Sequence, residues 1–323
     1  MGKRDNILIA LSKIDGITLE IINQLPDNEV LGLKSAEDLF NYVNYNDIFD
    51  NRINKSYDEI RKAYNTAQAI KEECAKGKVE IITKFDVEKY PERFKKLSNY
   101  PPFFFVRGNY SILKKSGIAI IGTRFPSNKG KAWGTKLSEV IAGKNYTIIS
   151  GLAAGCDSCA HIGCLRAGGE TIAVMPTHLN KVYPSHNKNL FHDILNNNGC
   201  VISEYEFGHP INANDFVLRD RLQAALAIGT IVIEMGITGG TLHAVNTTLK
   251  LKRPLAFLKF SEDHYSEYEH ARGNKKFLEN NEAMPISSSA DIDKFLNNCM
   301  IIDKANITKE TISNSEIVEQ NLF

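Results

Sequence analysis

At 323 residues and 36.1 kDa the chain has room for one large domain and a smaller companion. Its 43% apolar and 24% charged residues can bury a core, which excludes a disordered polymer, and no apolar run approaches the roughly 18 residues of a membrane span. The net charge of +1 conceals a segregation: residues 101–260 carry 17 basic against 9 acidic side chains, a local excess of +8 that suggests a phosphate or nucleic-acid binder. The start, Met1-Gly2-Lys3-Arg4-Asp5-Asn6, has no secretory character, and the six cysteines are scattered. A soluble cytoplasmic protein without disulfides is expected.

In chain order, Ile7, Leu8, Leu11, Ile14 and then Leu19, Ile22, Leu25 follow a helical period, interrupted by Asp15-Gly16-Ile17-Thr18. This is the outline of a helix-hairpin-helix unit. A further helix is expected from Tyr57 to Ala75, ending near Lys76-Gly77, so residues 1–78 read as a small helical domain. Short strands follow at Val79 to Ile82 and Phe103 to Val106.

From Gly117 the pattern becomes apolar, β-branched runs alternating with helix-length segments. Strands are expected at Gly117–Gly122, Thr147–Gly151, Thr171–Met175, Gly199–Glu204, Thr230–Glu234 and Pro254–Leu258, with helices such as Gly130–Gly143 and Cys156–Ala167 between them. Runs of this kind are buried on both faces. They predict an α/β class: a Rossmann-like, doubly wound, mostly parallel sheet over 79–300. Residues 301–323 read as a polar tail.

Ligands of such sheets lie outside the carboxyl ends of the strands. Three turns there are rich in small residues: Gly122-Thr123-Arg124, Ser150-Gly151, and Gly239-Gly240-Thr241. Their amides and the helix starts behind them suit an anion, and Arg124 adds a guanidinium fork. Neither G-x-G-x-x-G nor a P-loop is present, so no NAD, ATP or other cofactor is expected. Asp157 and His161 share a helix face, which fits an acid/base pair or, more simply, a turn-ordering acid and a packed histidine. Cys156, Cys159 and Cys164 lie beside them, but one helix cannot wrap a tetrahedral ion, so no metal is expected. Phe216 with Arg219 and Arg221 follows the irregular stretch Gly208 to Asn214. Two readings stand: an aromatic and two cations presented from a loop to a base and its phosphates, or a helix-start charge cluster with a core phenylalanine.

The ordered set Tyr100-Pro101-Pro102, Val106-Arg107-Gly108-Asn109, Ile121 to Arg124, Ser150 to Asp157 with Ala160-His161, Val182-Tyr183-Pro184, Ile202 to Tyr205, and Phe216 with Arg219-Asp220-Arg221 resembles the DNA-processing protein A family (DprA, or Smf). The resemblance implies a non-enzymatic, dimeric binder of single-stranded DNA that loads a RecA-type recombinase during natural transformation, with no membrane role. It places Arg124 and Phe216 in the DNA pocket, Arg219 and Arg221 on its basic wall, and Gly122, Ser150 and Gly151 on its floor. Asp215 and Asp220 stand where the family usually has asparagine, which sets two acids in a stretch expected to face DNA. The Gly239-Gly240-Thr241 turn leans towards that of the nucleoside-monophosphate phosphoribohydrolases, so a nucleotide sensor or hydrolase is the alternative; a defence-system partner protein is another. The catalytic glutamate of those hydrolases is replaced by His243-Ala244-Val245, and no winged helix is evident near the C-terminus.

Overall fold

The computed structural model describes residues 4–49 and 53–320, with side chains over 6–49 and 53–305. Its elements begin with α1 (Arg4–Ser12), α2 (Leu19–Gln24), α3 (Asp27–Gly32), α4 (Ala36–Tyr45), α5 (Tyr57–Lys76), β1 (Glu80–Thr83) and β2 (Phe103–Gly108). There follow β3 (Gly117–Ile121), α6 (Asn128–Ala142), β4 (Thr147–Ser150), α7 (Cys156–Arg166), β5 (Thr171–Val174), α8 (Lys188–Asn196) and β6 (Cys200–Ser203). The chain continues through α9 (Ala213–Leu226), β7 (Gly229–Val232), α10 (Thr241–Lys250), β8 (Leu255–Leu258), α11 (Glu262–Glu267), α12 (Arg272–Glu279), β9 (Met284–Ile286) and α13 (Ser289–Gln320). Two compact units are formed, one from Met1–Lys114 with Ile172–Arg219, the other from Lys115–Thr171 with Asp220–Phe323.

In the first unit the N-terminal helices are set by their caps. Ser35 and Ser56 each open a helix with a capping box, their hydroxyls accepting from the amides of Asp38 and Glu59 while those carboxylates accept from the serine amides. The turn between α1 and α2 needs Gly16, whose φ of +92° is costly for any side chain. Helix α5 buries a stripe of Ile60, Ala63, Ala67, Ile70 and Cys74. Strand β2 pairs antiparallel with β1 and β6, while β5 pairs parallel with β6. Parallel pairing needs a long crossover, usually a helix; β1 and β2 are joined instead by a segment with one 3-10 turn, Glu92–Lys96.

The second unit carries the parallel sheet. Its strands lie in the order β4-β3-β7-β8-β9, every pair parallel. Both faces are covered. Ile118, Ile120, Ile231 and Ile233 pack with Leu137, Ile141, Cys159, Phe295 and Leu296 from α6, α7 and α13. Ile121, Val232 and Phe257 pack with Ala244, Val245 and Phe277 from α10 and α12. This is the Rossmann-like α/β architecture expected from the continuous apolar runs.

Two features differ from expectation. Strand β9 was not legible, being three residues long with Pro285 inside an edge strand. Helix α13 runs through residues 301–320, which read as a polar tail. No glycine or proline follows Pro285, so nothing in that segment stops a helix nucleated by the buried Ile292, Phe295, Leu296 and Cys299. Residues 321–323 lie outside the described residues. No described helix is long and apolar enough to cross a membrane.

Candidate nucleic-acid interface

In the second unit β3 pairs with β4 on one side and β7 on the other, and the chain leads away from β3 in both directions. The topological switch point therefore lies between β3 and β7, where doubly wound sheets bind ligands. The three small-residue turns follow the carboxyl ends of these adjacent strands. They are tied together: the Thr123 amide donates to the Glu234 carbonyl (2.7 Å) and the Cys156 amide to the Thr123 carbonyl (3.1 Å). Gly155, at φ +81°, starts α7 against the Arg124 carbonyl, where a Cβ would overlap backbone. Leu152, fully buried, holds the left-handed φ of +57° that its branched side chain disfavours. Nothing in the sequence marked this strained position.

The turns are not equivalent. Ser150 is buried, its hydroxyl donating to the Ile120 carbonyl (2.6 Å), and Gly151 is buried beside it. Gly122 and Thr123 are half-buried, whereas Arg124, Gly239 and Gly240 are exposed and Thr241 is half-buried at the start of α10. Internal carboxylates already occupy two helix starts. Asp157 accepts from the Ala153 amide at α7 (3.3 Å), and Glu234 accepts from the Ser127 amide at α6 (2.7 Å). A Cβ on Gly240 would lie 3.9 Å from Asp220 Oδ2, which sets that acid at the third turn. Arg124 is thus an exposed cation on a ring of turns whose acids Asp157, Asp220 and Glu234 accept hydrogen bonds within the fold.

Glu234, expected only as the last residue of a strand, is a buried acid at the centre of these turns. It is fully buried, and it also accepts from the Ser127 hydroxyl (2.7 Å) and pairs with His264 Nε2 (2.8 Å). Gly130 is required in the first turn of α6 because a Cβ there would overlap this carboxylate. The available signal was a single acid closing the apolar run Ile231-Val232-Ile233.

Asp157 and His161 are both buried and hydrogen-bonded within the fold. The Thr171 hydroxyl donates to the Ile148 carbonyl (2.8 Å), so buried His161 donates through Nδ1 to Thr171 Oγ1 (2.7 Å). Burial pushes the thiols of Cys156, Cys159 and Cys164 up, the last to about 12, which makes them poor nucleophiles.

In the first unit Phe216 and Arg219 lie on α9, not on a loop. Asn212 Oδ1 accepts from the Asp215 amide (3.2 Å) and Asp215 Oδ2 from the Asn212 amide (2.9 Å). This reciprocal cap starts the helix, and its N-x-x-D signature was present in the sequence. Asp215 is buried and also pairs with His209 Nε2 (3.1 Å), so it caps a helix. Phe216 is half-buried and meets Tyr183 edge-on (5.4 Å), beside a cis Tyr183-Pro184 bond. Arg219 is buried, with Nη1 donating to the Val174 carbonyl at the end of β5 (2.9 Å). Asp220, which accepts from Gln223 (3.0 Å), and Arg221 belong to the second unit and are likewise buried. The expected residues therefore form two groups, one in each unit.

The reciprocal cap has a measurable consequence. Asp215→Ala should lower stability by about 1–2 kcal/mol, while Asp215→Asn, which keeps an acceptor at the third helical position, should cost less. Chemical denaturation of the two variants checks the order.

A family model described as DNA recombination-mediator protein A matches residues 80–297, more than half of the chain. The chain belongs to this family. Protein Smf of Synechocystis is 34% identical over 178 residues, 54% of this chain and 44% of that protein. The DNA processing protein DprA of Streptococcus pneumoniae is 37% identical over 155 residues, 47% of this chain and 54% of that one. The chain thus spans about half the length of the curated relatives it matches. The X-ray structure of DprA from S. pneumoniae superposes with a TM-score of 0.70 at 26% identity, covering 89% of this chain and 96% of that one. A structure of DNA processing protein A from Helicobacter pylori, described for its single-stranded DNA binding mode, gives 0.59 at 25% identity over 70% of this chain and 96% of that one.

Proposed function

We propose that this protein binds single-stranded DNA with little sequence preference and serves as a recombination mediator, loading a RecA-type recombinase as a cytoplasmic homodimer. The observation that carries this reading is exposed Arg124, at the switch point of a parallel sheet, on turns whose acids Asp157 and Glu234 accept hydrogen bonds from backbone amides of the fold. A guanidinium so placed grips phosphate in two-pronged fashion. Family membership and the H. pylori protein's binding mode support the same ligand. Helical 1–78, α/β 79–300 and a polar C-terminal tail over 301–323 are proposed as its domains; the family match over 80–297 supports the second of them.

No catalytic turnover and no cofactor are proposed. Glu234, the buried carboxylate beyond β7, is held by Ser127 and His264, and the helix after the Gly-Gly turn opens Thr241-Leu242-His243 without a carboxylate. His161 and Asp157 hold backbone and hydroxyl groups in place, which leaves no nucleophile–base pair among them.

Mobility shift with single- and double-stranded DNA of one length tests the proposal. Single strands should bind more tightly, and affinity should fall steeply between low and physiological salt as counterions are released. Equal or tighter binding to the duplex would overturn it.

A further inference from the structure

The second unit carries an aromatic ladder outside the turns themselves. Trp133 stacks on Phe260 (5.2 Å, 12° between planes), Phe260 on His264 (4.4 Å), and His264 on Tyr268 (5.8 Å). Tyr268 meets His270 (5.9 Å), and His270 meets Phe125 (6.0 Å, 31°). Of the interior rings Phe260 is buried and His264, Tyr268 and His270 are half-buried, but both end rings reach solvent: Phe125 is 69% exposed and Trp133 39%. Single exposed apolar residues are ordinary; two terminating one chain of ring contacts, stacked from Trp133 to Tyr268 and edge-on or tilted beyond it, are not.

Phe125 directly follows Arg124, and its backbone is hydrogen-bonded on both sides. Its amide donates to Thr123 Oγ1 (3.1 Å), and its carbonyl accepts from the Tyr268 hydroxyl (2.8 Å), a phenol whose pKa burial raises. Buried Pro126 and the Ser127–Glu234–His264 network fix the chain behind it. Further along α6, Lys129 lies over the Trp133 ring at 4.7 Å, one helical turn away. Alternating aromatic and cationic groups beside a phosphate-gripping arginine have the composition of a single-strand path, where bases stack and the backbone is neutralised.

We infer that Phe125, Lys129 and Trp133 form a second stretch of DNA-binding surface, taking the unpaired bases of the strand beyond the phosphate held at Arg124. The inference rests on the single-strand reading above. Flat exposed rings select unpaired bases, because a duplex offers no free base face along its length.

Trp133 is the single tryptophan of the chain, so its emission reports on the rail directly. The full-length protein is titrated with an oligothymidylate while emission and mobility shift are both followed. Emission should be quenched along the binding isotherm, and an abasic sugar-phosphate strand of equal length should bind with little quenching. Phe125→Ala should weaken oligothymidylate binding about fivefold or more with an unchanged salt slope, since a stacked base and not an ion pair is lost. Trp133→Phe should keep affinity and lose the signal. Unchanged Trp133 emission at saturating oligothymidylate, equal quenching by the abasic strand, or wild-type affinity in Phe125→Ala would each overturn the rail while leaving the Arg124 site standing. If neither assay registers single-stranded DNA, the proposed function fails and the rail with it.

Discussion

Arg124→Ala is expected to lower affinity for single-stranded DNA about tenfold or more. A charge-assisted hydrogen bond to phosphate contributes roughly 1.5–3 kcal/mol, and about 1.4 kcal/mol is a factor of ten. The effect should be concentrated in this residue because Asp157 and Glu234 already sit at the starts of α7 and α6. Those helix starts have less residual field to offer an external anion. The log–log salt slope should fall by about 0.7, the value for one phosphate contact on a single strand. Arg124→Lys should recover part of the affinity and all of the slope, because an ammonium keeps the charge without the planar fork. Mobility shift at several salt concentrations separates the two. Wild-type affinity and slope in Arg124→Ala would remove phosphate from the site.

Glu234→Ala should cost the fold about 3 kcal/mol or more. The carboxylate is fully buried and is met by the Ser127 amide, the Ser127 hydroxyl and His264. Truncation strands these partners and opens a cavity beneath α6, and each buried group left unpaired costs about 1–3 kcal/mol. Glu234→Gln should cost roughly half as much: it keeps the shape and one carbonyl oxygen but points N–H donors at groups that are themselves donors. Urea denaturation of both variants gives the comparison. An unfolding midpoint for Glu234→Ala equal to that of the wild type would show that Ser127 and His264 find other partners.

What the sequence determined by itself was local. The β-branched runs gave β3 to β8 within about two residues of their observed ends, because continuous apolarity is the direct consequence of burial on two faces. Glycine-bearing turns at the strand ends were equally legible, since close approach and positive φ restrict those positions to few residue types. The ordered motifs were enough to name the family that the match over 80–297 bears out.

Asp215 caps a helix because Asn212, three residues away, returns the hydrogen bond, a pairing that the N-x-x-D spacing carries locally. Tertiary structure decided the rest. Glu234 meets Ser127 across 107 residues, and no local pattern encodes such a partner. The antiparallel flank and β9 are set by pairing, and three residues with a proline carry too little periodicity to declare a strand. The aromatic ladder joins rings of α6 and its leading turn to rings from the 260–270 segment. Propensity and periodicity act over a few residues, whereas burial and hydrogen bonding of a polar or aromatic side chain are fixed by whichever distant element the fold brings against it.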